Sequence, residues 1–165
     1  MSKLKESFEY FILPSYREIP DVGLYLDQVV KYINSWFADF PDMNVTASML
    51  TNYVKLKIVS RSGKKTYSRR QIAAFLFIAM AKSVLSMDNI RTIMEMNGES
   101  ELEQFYESFR QNMMNVLKYL SEENGSLSNA ACMLNNICIA IGHKMYLELY
   151  FSEMKQRMAE YAGNK

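Results

Sequence analysis

Glycine and proline are scarce in this chain, with 6 and 3 among 165 residues. That scarcity excludes collagen-like and low-complexity classes, and a hydrophobic share of 49% excludes disorder. Long hydrophobic runs are missing too. The longest, Ile72 to Ala81, has ten residues, about half of the roughly 20 that a spanning helix requires, so no membrane partner is expected. The opening MSKLKESFEYFIL carries charges through its would-be hydrophobic region and does not read as a signal peptide, which points to the cytoplasm. Cys132 and Cys138 are the only cysteines. Six residues apart in a helical stretch, they sit nearly two turns from each other, too far for a disulfide, and are expected to be buried and reduced. A single histidine, His143, excludes a multi-histidine metal site, and no Cys-x-x-Cys pair replaces it. Cys138 lies about 140° around a helix from His143, so the two do not face each other as nucleophile and base. SRSGKK lacks the first Gly and the Ser/Thr of a phosphate loop. The carboxylates Glu99, Glu101, Glu103 and Glu107 read as a solvated helix start. Neither a cofactor nor an enzymatic activity is expected.

What is present is segregated charge. The net charge of +1 is a cancellation. Residues 1–42 sum to −3 and residues 88–165 to −4, whereas residues 43–87 hold eight basic side chains and no Asp or Glu. Such a block points to an anionic partner, above all double-stranded DNA, because one carboxylate near a phosphate would exchange attraction for repulsion.

Along the chain, Pro14 and Pro20 make SYREIPD a non-helical strap, and residues 1–20 form an N-terminal arm. Asp21 is placed to cap a helix whose apolar residues (Leu26, Val29, Val30, Ile33, Trp36, Phe37, Phe40) recur at three- and four-residue steps until Pro41. Thr46 caps a shorter helix, 47–56, with Ser48, Thr51, Asn52 and Lys55 on its outer face. KIVSRSGKKTY then has the pattern of a hairpin with a basic tip, 57–67. Ser68 caps an apolar helix and Ser86 the next, ending near Gly98. An acidic-started helix follows, and a last helix runs from about Leu127 to Ala159.

Helix, short helix, basic hairpin and helix in that order is the layout of a winged helix-turn-helix. The expected architecture is therefore mainly α: a winged helix-turn-helix domain over 21–98 with a short two-stranded wing, then a helical bundle and dimerisation region over 99–165. Ser48, Thr51, Asn52 and Lys55 would face base edges, Lys57, Arg61, Lys64, Lys65 and Tyr67 would belong to the wing, and Arg69 and Arg70 would flank it. The last helix carries Leu127, Ala131, Leu134, Cys138, Ile141 and Met145 as a stripe and further apolar residues beside it, which calls for burial on more than one side and predicts a homodimer. Methionines crowd the C-terminal half and leave room for an apolar effector molecule, though core filling is their commoner use.

Two resemblances bear on this. LTNYVKLKIV, KTYSRRQIAAFLFI and SMDNIRTIM, within residues 46–94, resemble the MerR-type winged-helix domain, with Thr51 where that family has Arg and Lys57 where it has Gly. The likeness implies DNA binding. LPSYREIPDVGLYLDQVVKYIN, TASMLTNYVK and KKTYSRRQIA resemble a family of Gram-positive bacterial proteins catalogued as a domain of unknown function; that likeness implies a bacterial cytoplasmic protein and no particular activity. The expected function is DNA binding in transcriptional control, without catalysis. Its rival is a helical protein–protein adaptor that binds no nucleic acid.

Overall fold

The computed structural model describes residues 11–98, 100–123 and 130–163. Its elements are α1 (Leu26–Ser35), α2 (Ala47–Lys55), α3 (Arg69–Ala81), α4 (Met87–Asn97), α5 (Leu102–Glu123) and α6 (Ala130–Gly163), with 3-10 turns at Tyr16–Glu18 and Pro41–Met43. Two compact units divide the chain, Met1–Gly125 and Ser126–Lys165.

In the first unit α3 is the axis. Every residue from Gln71 to Ala81 is buried, because the ten-residue apolar run has no polar face to turn to water. Phe75 meets Tyr53 of α2 and Tyr67, at ring separations of 6.5 and 5.6 Å. On the other side Phe77 sits edge-on to Phe105 and Phe109 of α5, at 4.9 and 5.1 Å. α1 packs on α2 and α3, supplying the buried Val29 and Ile33.

The expected caps form where a small hydroxyl precedes a helix. Thr46 accepts from the Met49 amide, Ser68 from that of Gln71 and Ser86 from that of Asn89. Asp21 does not cap α1. Tyr25 is its first flanking residue, with the Gln28 side chain accepting from the Tyr25 amide at 2.9 Å, and Asp21 instead pairs with Arg69 at 3.7 Å.

The strap is threaded into the core rather than laid over it. Leu13 and Ile19 are fully buried, and Phe11 contacts Phe37 and Phe40. Its backbone groups are satisfied by side chains: Tyr106 Oη donates to Pro14 O, Arg110 Nε to Leu13 O and Arg69 Nε to Ile19 O, each at 2.8 Å, while Glu107 accepts from the Tyr16 amide. Burial pushes the Tyr106 phenol far above its ordinary pKa, so it stays a donor.

The two-stranded wing is absent, and the expected winged helix-turn-helix is not the fold. Among the described residues there is no strand, only one bridge, Leu24 with Tyr67. The cause is visible in the backbone of 57–67. Ile58 and Val59 donate back to Tyr53 O, at 3.0 and 3.3 Å, closing the end of α2, and Tyr67 exchanges both its bonds with Leu24, at 2.8 and 3.1 Å. The two legs thus spend these groups on other partners instead of on each other. Gly23 makes the crossing possible: its φ is 75°, and a Cβ there would lie 2.9 Å from Thr66 Oγ1.

α6 is different in kind. Among its described side chains Leu134, Ile141 and Met145 are exposed, as is Cys138, which was expected to be buried. Leu127 lies outside the described residues, and the side chains of Ala131 and Cys132 likewise. Among the described residues no helix is long and apolar enough to cross a membrane.

Candidate nucleic-acid interface

The outer turn of α2 and the 57–67 loop enclose an open recess of about 690 Å³. Its cations are Lys55, Lys57, Arg61, Lys64 and Lys65, and among the described residues its lining includes no carboxylate. All five are exposed, and none makes an ion pair among the described residues. Like charges converging without a counter-charge repel one another, and an anion in the recess relieves that repulsion.

Each wall is positioned by identifiable contacts. The segment entering α2 is held by Asn34, whose side chain donates to Val45 O at 3.0 Å and accepts from the Val45 amide at 2.8 Å. Lys82 adds two bonds at 2.9 Å to the carbonyls of Asp42 and Asn44. Burial lowers the Lys82 pKa, with the Asp42 charge opposing the shift. At the loop, Ile58 and Val59 are buried anchors. Gln71 reaches out of α3 to Ser60 O at 2.8 Å while accepting from the Ser68 amide at 2.9 Å. At the tip Ser62 Oγ donates to Thr66 O at 3.2 Å and accepts from the Lys64 amide at 3.3 Å, beside Gly63 with φ 69°.

Lys57 has φ 58°, alone among described non-glycine residues in being left-handed. It follows α2 as the residue past the helix cap. Its own amide bonds to Val54 O and that of Ile58 to Tyr53 O, both at 3.0 Å, which is the Schellman pattern that ordinarily takes glycine there.

The remaining sequence candidates separate into groups. Thr51 lines the recess, but its hydroxyl donates within its own helix, to Ala47 O and Ser48 O at 3.0 Å. Ser48 and Asn52 are exposed on the same outer face of α2, beyond the lining. Tyr67 lines the recess while its ring packs on Phe75. Arg69 is turned away into the strap, bonded to Ile19 O, 3.7 Å from Asp21 and 5.8 Å above the Tyr16 ring. Arg70 borders a separate recess of about 210 Å³ with Val59, Met94, Glu95 and Leu102, smaller than the roughly 300–1,000 Å³ of drug-sized pockets. Missed by sequence reasoning were Gln71 and Ser62, which hold the loop. Ser68-x-x-Gln71 is a capping-box spacing and could have drawn attention to Gln71.

Fold and site together define a mainly helical domain with a basic recess that is acid-free among the described residues. The model of the domain of unknown function DUF1836 matches residues 14–109, more than half of the chain. The chain belongs to that family, which meets the expectation of a family of unknown function; nothing supports a MerR-like core. Neither a curated protein nor a solved structure matches.

Proposed function

We propose that this is a cytoplasmic, non-enzymatic protein that binds double-stranded DNA in transcriptional control. The supporting observation is the convergence on one recess of five cations from α2 and the 57–67 loop, with no ion-pair partner and no lining carboxylate among the described residues. Arg61, Lys64 and Lys65 serve as phosphate contacts at the loop tip, with Lys55 and Lys57 at its base. Ser48 and Asn52, exposed and uncharged, face base edges, where asparagine suits adenine. Placement on a loop is no obstacle, because phosphate contact asks for charge and reach, which an anchored loop supplies as well as a paired hairpin.

Wild-type protein is expected to be retained on duplex DNA at about 50 mM salt, where phosphate contacts are strongest. If four or five phosphates are neutralised, affinity falls roughly a hundredfold or more by about 200 mM. Arg61→Glu combined with Lys64→Glu abolishes retention while leaving the circular dichroism spectrum unchanged. Absence of wild-type retention at low salt ends the DNA proposal and leaves the adaptor function in its place.

A further inference from the structure

α6 runs for 34 residues, about 51 Å, and nine large apolar side chains between residues 133 and 150 are exposed. They leave on the order of 1,000 Å² of apolar surface open, spread over more than one side of the helix. One stripe is continuous. Leu134, Cys138, Ile141, Met145 and Leu149 recur at steps of four, three, four and four residues, the spacing of a helix–helix seam. Its four large members are 59, 54, 62 and 68% exposed.

Gly142 borders this stripe near its midpoint. Mid-helix glycine is unfavourable relative to alanine, and neither a positive φ nor crowding explains it, since a Cβ there would meet nothing within 4 Å. A glycine kept in the middle of an exposed helix makes sense where another backbone comes close.

We propose that the occupant of this face is a second copy of the chain, its α6 crossing antiparallel over the first at Gly142. The stripe is self-complementary about that point: Leu134 lies opposite the partner's Leu149 and Cys138 opposite the partner's Met145. Even half of the open apolar area, counted on both copies, comes to about 1,000 Å², the size a specific interface should reach. Charge sets the direction. Residues 130–142 carry none, and Glu148 lies beside the stripe. A parallel pair would set Glu148 against its own copy, whereas the antiparallel pair separates the two carboxylates by roughly 20 Å and lays each along the partner's uncharged half. This inference rests on α6 alone and is independent of DNA binding.

Sedimentation equilibrium of the full chain at micromolar concentration tests it. A mass of twice 19.2 kDa is expected, and a monomer overturns the proposal. Ile141→Glu with Met145→Glu is expected to give a monomer of unchanged helix content; a variant that remains dimeric assigns the interface elsewhere and overturns it too. Gly142→Ala separates the crossing from a propensity effect. It is expected to weaken the dimer tenfold or more although alanine favours the isolated helix, and an unchanged or tighter dimer overturns the crossing. In a Cys132→Ser background, oxidation is expected to leave Cys138 unlinked, while Leu134→Cys with Leu149→Cys, in a chain that also carries Cys138→Ser, forms a covalent dimer. A Cys138–Cys138 disulfide overturns the antiparallel arrangement.

Discussion

α3 and α6 are the two most apolar helices of the chain, and they meet opposite fates. α3 is short and shut in on all sides, by α1, α2, the loop and α5. α6 is nearly three times as long, and most of its apolar side chains are open. The lesson is that an apolar run states a demand for burial without naming the partner. The first unit supplies everything α3 needs, and the apolar face of α6 is the one on which the proposed second copy would act.

The contrast breaks first at the aromatic centre. Phe75→Ala removes a fully buried ring between Tyr53 and Tyr67 and is expected to cost about 3–5 kcal/mol in chemical denaturation. Ile141→Ala on α6 is expected to change the unfolding of the first unit by less than about 0.5 kcal/mol, its effect appearing only in the part of the transition that depends on protein concentration. Equal costs at both positions would erase the distinction between the helices.

Next in size is the link from α3 to the recess. Gln71→Ala leaves Ser60 O and the Ser68 amide without their side-chain partner and is expected to lose about 1–3 kcal/mol, with faster amide exchange at 58–62. The smallest change has the opposite sign. Lys57→Gly relieves the left-handed lysine and is expected to stabilise the fold by about 1 kcal/mol. If Lys57 contacts phosphate, the same variant lowers the slope of log affinity against log salt by about 0.9. A protein both more stable and a weaker DNA binder would show that the lysine is kept for its charge.

Helix positions and caps were legible in the sequence because they rest on local chemistry: Thr46, Ser68 and Ser86 satisfy amides three residues away, and the 3.6-residue period marks the buried faces. The basic surface was legible because charge needs no fold to be counted. The loop was not. Ile58, Val59, Thr66 and Tyr67 have the composition of strands, and what overrides it is non-local: Tyr53 O captures one leg and Leu24, reached only through Gly23, captures the other. Arg69 was misjudged for the same reason, since its partners Ile19 and Asp21 lie about fifty residues upstream. The exposure of Cys138 likewise follows from no local pattern.

The separate anchoring of the two loop legs has a consequence for how this surface can change. In a paired hairpin the register ties both legs together, so one added residue displaces every later side chain to the other face. Here the leg at Ile58 is pinned to α2 and the leg at Tyr67 to Leu24, and a Cβ placed on Gly63 between them would meet nothing within 4 Å. Insertions at the tip therefore lengthen the reach of Arg61, Lys64 and Lys65 without loosening either root. For the proposed phosphate contacts this means that tip length alone would retune the spacing of the cations, while the core that carries them stays as it is.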